Sequence, residues 1–563
     1  MRTLKTTLFF LFVALIALLL VDAPSEKDTS TISTQSLIVQ GSQAAEQVRA
    51  VGGEITHELG IINAVVADLT PSQRARLQSS NPTQRIYENQ AVESAGKPDK
   101  GGSTDSGGPD KDSPVDTIFP TQVGADLLHS EGITGSGVTI AVVDSGHWPF
   151  KDLDVDTTGA MRLLEAHVST GQKGKNAWED HNGHGTHVAS IAVSSGVNSD
   201  GKFNGVAPDA NLIMVKAFDK DGMGSYASVI DGLDYILANK DTHNIRVANL
   251  SFSATPSSFY RDDPLAQAVM RLWQEGIVVV ASAGNTGPDP MTIGVPGNVP
   301  YIITVGAMSD NYTATDPSDD LLTSFSATGP THSGFIKPDL VAPGGHILGL
   351  MERGWSTIAM AHPEFHDTKS HYQMSGTSQA TAIVSGIAAL LLQSEPTLTP
   401  DEVKYRLMAN AHRAEDSAGG LGYSVLQQGA GMVNSYDAVH SAAQGFANGG
   451  LDIARDLDGS ESYAGPVRER PDGSFYIYGL PAEYDWDGGY SSTNAVLWSD
   501  AILWSDAILW SDAILWSDAV LWSDAVLWSD AVLWSDAVLW SDAILWSDAL
   551  TEAAAVNVWV DQE

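Results

Sequence analysis

Cysteine is absent from all 563 residues, which excludes disulfides, thiolate metal sites and a cysteine nucleophile. Basic residues are scarce: 30 Lys and Arg stand against 69 Asp and Glu, a formal net charge of -39. That sign argues against nucleic acid and anionic membrane surfaces as partners and favours cationic substrates at low salt. Apolar runs long enough to cross a bilayer are also missing. No His-Glu-x-x-His motif appears, so the usual zinc-peptidase signature is lacking. What remains is a chain 43% hydrophobic, enough for a substantial core, and too long for one compact domain.

The N-terminus sets the expected compartment. Arg2 and Lys5 precede an apolar run from Leu8 to Val21, closed by Val21-Asp22-Ala23. A basic flank, a short apolar stretch and a small terminal residue read as a signal peptide over 1–23, hence a secreted, extracellular protein. After a polar spacer, residues 37–93 read strand (Leu37–Gln40), helix (Ala44–Val51), strand (Glu54–Glu58), strand (Ile61–Leu69), helix from Pro71 to Leu77, and strand (Arg85–Glu88). That order is ferredoxin-like. Residues 94–114, rich in Gly, Ser, Asp, Lys and Pro, read as a flexible linker and processing region.

From 115 to 446, short β-branched runs alternate with helical patterns. Val138–Val143, Asn211–Ala217, Arg246–Phe252, Ile277–Ala281 and Ile302–Val305 suit strands buried on both faces, with helices over His184–Ser194, Ala227–Asn239 and Pro264–Gln274. The fold class is therefore α/β, a parallel sheet with helices on both faces. Residues 447–492 read as a linker or small β element, 493–550 as a hexapeptide repeat, and 551–563 as a tail.

Three segments in the α/β region each put a reactive side chain beside small residues. Ala141-Val142-Val143-Asp144-Ser145-Gly146 ends an apolar strand on an Asp, and sites on parallel sheets gather beyond carboxyl strand ends. His181-Asn182-Gly183-His184-Gly185-Thr186-His187 opens a helix, as does Met374-Ser375-Gly376-Thr377-Ser378-Gln379-Ala380. Singly, each is an ordinary turn or cap. In the order Asp, His, Ser, they resemble the subtilase family of serine peptidases, over roughly 115–446 and more weakly over 37–93.

The resemblance implies a secreted serine endopeptidase in which Ser378 is the nucleophile, His184 the general base and acid, and Asp144 the group that orients the imidazole. Of the two histidines in the motif, His184 is the catalytic one and His187 structural. Asn285, in Ala281-Ser282-Ala283-Gly284-Asn285, resembles the oxyanion-hole residue. Substrate is expected to add as a strand between Gly222–Tyr226, with Gly222 and Gly224, and Ser251-Phe252-Ser253. Three departures from the family pattern stand out. Ser253 replaces a pocket-wall Gly; Gln379 replaces the Met after the nucleophile; Thr381 and Ala382 replace a Ser-Pro pair. No cofactor is needed for catalysis. Structural calcium is left open: Asp152 stands where a ligand often sits, but the loop after the His helix looks shortened at Val197–Phe203. Residues 37–93 would be a chaperone and inhibitor of the same chain, removed when the precursor matures.

Residues 495–548 hold nine tandem hexads of Ala-Val/Ile-Leu-Trp-Ser-Asp. A helix would turn about 600° per hexad and scatter the Trp side chains over every side. A strand keeps Val/Ile, Trp and Asp on one face. Binding to glycan or cell wall, or self-association, is the expectation for so regular a Trp array. It also frames the rival reading: an inactive or self-processing-only scaffold that acts at surfaces through this repeat.

Overall fold

The computed structural model describes residues 34–93, 117–313, 319–367, 369–414, 422–478 and 485–486. The signal peptide, the linker 94–114 and the Trp repeat lie outside the described residues.

Residues 34–93 fold into strands β1 (Gln35–Gln40), β2 (Glu54–Leu59), β3 (Ala64–Leu69) and β4 (Arg85–Glu88), with helices α1 (Ala44–Ala50) and α2 (Pro71–Ser80). The sheet runs β2-β3-β1-β4, and the pairs are antiparallel. Pro71 sits at the start of α2, where its missing N–H costs nothing. Thr70 and Gln73 close a reciprocal capping box there. One sequence expectation fails: Ile61 does not begin a strand. Gly60–Ile62 is a 3-10 turn that ends at Asn63 in a left-handed conformation (φ 50°), and the strand starts only at Ala64. The apolar Ile61-Ile62 pair looks strand-like but is buried against the larger domain. A last short strand, β5 (Ala91–Glu93), leaves this unit and pairs elsewhere.

The larger domain is built on β6 (Thr139–Asp144), β7 (Leu163–Val168), β8 (Asn211–Lys216), β10 (Ile245–Leu250), β11 (Val278–Ser282), β12 (Ile303–Ser309), β13 (Leu321–Leu322) and β14 (Leu340–Pro343), with a short β9 (Met223–Ser225) outside the sheet. The order is β13-β12-β11-β10-β6-β8-β7, with β14 also on β12. All pairs are parallel except β12–β13. Every residue of β6 and β11 is buried, as continuous apolar runs in a covered parallel sheet require. Helices α3 (His184–Val193), α4 (Tyr226–His243), α5 (Pro264–Gln274) and α7 (Thr377–Ser394) cover it, α3 packing with α7 and α4 with α5. A hairpin of β15 (Ile347–Leu350) and β16 (His371–Met374) carries helix α6 (Thr357–Ala361) between its strands.

The core does not stop at 446. Residues 447–478 carry helix α8 (Ile453–Asp458) and strands β17 (Val467–Glu469) and β18 (Phe475–Ile477). Tyr463, Val467, Phe475 and Ile477 join the main apolar cluster. The Asp456 carboxylate accepts hydrogen bonds from Tyr260 Oη (2.6 Å) and Tyr301 Oη (3.1 Å). Of the two expectations for this stretch the small β element holds: β17 and β18 pair antiparallel, and the stretch packs on the main core rather than acting as a linker.

Candidate active site

The carboxyl end of β6 delivers Asp144, and α3 opens at His184. The two meet as a buried pair: His184 Nδ1 is 2.8 Å from Asp144 Oδ1 and 2.9 Å from Oδ2. A carboxylate only accepts, so Nδ1 carries the proton and Nε2 is left as the basic nitrogen. Ser145 N donates to Asp144 Oδ1 at 2.7 Å, which fixes the carboxylate.

Ser378 is the second residue of α7, at the end where backbone N–H groups are unpaired and the dipole is positive. It is buried, and its Oγ donates to Ser251 O at 3.1 Å. Ser251 in turn donates from Oγ to Ser378 O at 2.9 Å and accepts from Asn249 Nδ2 at 2.9 Å. Asn285, beyond the end of β11, accepts with Oδ1 from Thr377 N (3.0 Å) and Thr377 Oγ1 (2.8 Å). Those two bonds fix the amide and turn Nδ2 towards Gly376: a Cβ added there would lie 3.3 Å from Nδ2. The same point is 3.8 Å from Ser378 N, so both expected oxyanion donors lie near Gly376.

His187 lies one turn along α3, fully buried. Its Nε2 donates to Tyr372 O at 2.9 Å, and burial lowers its pKa to about 3. An imidazole kept neutral near pH 7 and bonded to a main-chain carbonyl suits a structural rather than a catalytic part.

The expected substrate segments divide. Met223–Ser225 forms β9, reached through a turn at Gly222 (φ 75°) that Asp219 closes by accepting from Met223 N at 2.9 Å. Gly224 tolerates no side chain, since a Cβ would stand 2.7 Å from Ala217 O. β9 already has a partner: β5 lies antiparallel on it, Ala91 opposite Ser225 and Val92 opposite Gly224, with Val92 fully buried. Phe252 instead turns into the core beside Phe218, and its carbonyl accepts from Ser282 Oγ at 2.8 Å. Ser253 Oγ fills the space between two glycines: a Cβ at Gly294 would fall 1.9 Å from it and one at Gly284 3.1 Å. Ser253 therefore narrows this wall relative to a glycine.

Two supports were not visible from the motifs. Asp180 is buried and accepts from Ser145 Oγ (2.9 Å), Asn182 N (3.1 Å), Gly183 N (2.8 Å), Thr186 N (2.8 Å) and Thr186 Oγ1 (2.7 Å). It ties the end of β6 to the start of α3, and an acid four residues before the helix was the signal for it. The α6 segment clamps the same loop. Thr357 N donates to His181 O at 2.9 Å and Ser356 Oγ to Asn182 O at 2.7 Å. Gly183, at φ 105°, has no room for a Cβ because Ser356 Oγ would be 2.2 Å away.

Among the described residues no group of three or more His, Asp or Glu side chains is placed to hold a metal. An internal cation lies near Asp152. Arg162 is buried and donates to Val155 O (Nη2, 2.6 Å; Nε, 3.0 Å), Asp152 O (Nη2, 3.3 Å) and Val193 O (Nη1). Burial lowers its pKa to about 10, opposed by Asp209, Asp156, Asp154 and Asp152, and it stays charged at neutral pH. Arg162→Ala strands these carbonyls and is expected to cost about 3–5 kcal/mol. Thermal unfolding of the two proteins checks this; an unchanged midpoint contradicts it.

A buried Asp144–His184 pair and a serine at a helix start, set on a parallel sheet of this order, are what a serine hydrolase is expected to contain. The chain belongs to the subtilase family, whose pattern matches residues 135–435, and it is a subtilisin-like serine endopeptidase. Serine protease AprX of Bacillus subtilis (strain 168) is 36% identical over 385 residues, covering 67% of this chain and 79% of that protein. Subtilisin E of the same organism is 32% identical over 326 residues, 58% of this chain and 70% of its own. M-protease of Shouchella clausii is 32% identical over 316 residues, 56% and 67% respectively.

Proposed function

We propose that this protease is a secreted, autoprocessed zymogen that cuts peptide bonds with Asp144, His184 and Ser378, and that residues 37–93 inhibit it in cis. The observation that carries the reading is β5 on β9: the inhibitor-like unit lays its own strand along the segment expected to hold substrate. Ser378 Oγ attacks the scissile carbonyl while His184 Nε2 takes its proton. Asp144 stabilises the imidazolium that forms. The Asn285 amide and Ser378 N receive the oxyanion. His184 then protonates the leaving amine, and water repeats the sequence to free the acid.

The register of β5 on β9 narrows the processing point. The strand runs from Ser225 towards Met223, and Asn182 Nδ2 bonds Lys220 O at 3.3 Å just beyond, two residues from His184. A cut in the chain that follows Glu93 is the expectation drawn from this direction. Purified full-length protein is expected to turn over a generic peptide and to lose its N-terminal portion by a cut soon after residue 93, read by intact mass. Full-length, inert protein that is folded would instead favour the binding-scaffold reading. Attachment to glycan, cell wall or a second copy through residues 495–548 remains a proposal from the Trp pattern; deleting 493–563 should then reduce retention on cells.

A further inference from the structure

Two segments meet the start of α7 after leaving neighbouring strands at their carboxyl ends. Residues 251–254 continue β10 and residues 283–285 continue β11, the two strands pairing parallel with Leu250 opposite Ala281. The first segment reaches the proposed nucleophile: Ser378 Oγ donates to Ser251 O at 3.1 Å, and Ser251 Oγ donates to Ser378 O at 2.9 Å. The second reaches the adjacent residue, Asn285 Oδ1 accepting from Thr377 N at 3.0 Å. A third segment joins them. Ala254 and Val295 exchange both main-chain bonds, each 2.7 Å, and Gly294 N donates to Ala283 O at 3.0 Å. Residues 251–254, 283–285 and 294–295 thus form three walls tied to one another and to the helix that carries Ser378.

The buried Ser253 side chain stands between these walls. A Cβ on Gly294 would fall 1.9 Å from Ser253 Oγ; a Cβ lies about 1.5 Å from its Cα, so Oγ is within about 3.4 Å of Gly294 Cα, in van der Waals contact. The Cβ position of Gly284 is 3.1 Å from the same Oγ. A ring held between two walls needs about 3.5–4.0 Å to each, or roughly 7 Å in all. Ser253 and Gly294 already touch, so an aromatic or long side chain has no passage between them. A side chain of one or two heavy atoms does not need one.

A peptide attacked by Ser378 carries, on the Cα next to the reacting carbonyl carbon, the side chain that precedes the cut. We propose that this side chain points between the three walls and that Ser253 is a specificity-determining residue there, restricting it to glycine, alanine or serine. The proposal rests on the reading of Ser378 given above. The chain's own sequence agrees with it: the residues after Glu93, where the processing cut is expected, are Ser94-Ala95-Gly96, and the first larger side chain is Lys97.

Two peptide anilides that differ only in the residue before the anilide, Ala or Phe, test it on the self-processed enzyme. The wild type is expected to favour the Ala peptide in kcat/KM by about tenfold or more. Ser253→Gly clears the space and should raise the Phe-to-Ala ratio by about 10–100-fold. Ser253→Thr adds a methyl group between the walls and should lower that ratio. Because it is a ratio, losses of stability or active fraction common to both peptides cancel. A wild type that prefers Phe, or a ratio unchanged in Ser253→Gly while the Ala peptide is still turned over, overturns this inference alone. Absence of turnover of either peptide by the wild type overturns it together with the nucleophile assignment.

Discussion

Ser378→Ala is expected to leave the chain folded, full length and without peptidase activity. The substitution removes one hydroxyl from a buried position, and with it the bond from Oγ to Ser251 O. The cost to stability should stay near the ~1 kcal/mol of an ordinary hydrogen bond. Its chemical cost is expected to be far larger, because Oγ is the proposed attacking atom and the His184–Asp144 pair its proposed base. In subtilisin itself, loss of the serine lowers kcat by about 2 × 10⁶, and the same order is expected here. Two measurements on one preparation suffice: peptide turnover, and intact mass to see whether the chain is cut after residue 93. A variant that still trims itself would show that another group attacks.

The second large effect is expected at Asn285, where two substitutions separate two roles. The amide supplies a donor through Nδ2, but its Oδ1 also holds the first turn of α7 through Thr377 N and Oγ1. Asn285→Ala removes both; Asn285→Asp keeps the acceptor and deletes the donor. If the donor matters in the transition state, both should lose about 10²–10³ in kcat with little change in KM, a magnitude taken from the equivalent change in subtilisin. The Asp variant should be the worse of the two, since it places a negative charge beside the developing oxyanion. Recovery of kcat in Asn285→Asp relative to Asn285→Ala would show instead that Asn285 serves only to hold Thr377.

Each residue of the proposed triad stands at a place with a sequence signature. Asp144 ends an apolar strand, His184 and Ser378 open helices among glycines, and Asn285 follows a buried run of valines. The strands of the parallel sheet were readable for a similar reason: burial on both faces leaves no polar alternation to confuse them. What escaped depends on neighbours distant in sequence. Ile61 and Ile62 look like strand residues until the larger domain claims them as a contact turn. The α6 clamp on His181 and Asn182 joins residues more than 170 positions apart. Arg162 reads as a surface cation, yet the fold encloses it among carbonyls.

The junction of β5 with α4 has a bearing on what maturation leaves behind. Tyr226 N donates to Gln90 O at 2.9 Å, and Ala227 N to Asn89 Oδ1 at 2.8 Å. The first turn of an 18-residue helix thus borrows two of its acceptors from the segment proposed to be discarded. Ser225 supplies a third from within the domain by accepting from Ser228 N at 3.2 Å. Departure of the segment would leave two N–H donors short of acceptors at the rim of the cleft, next to the strand that pairs with extended chains. Incoming polypeptide, rich in carbonyls, is well suited to repair it. The precursor would thus hand to its substrates a vacancy shaped by its own backbone, and the affinity that once kept the enzyme silent would become part of what draws its targets in.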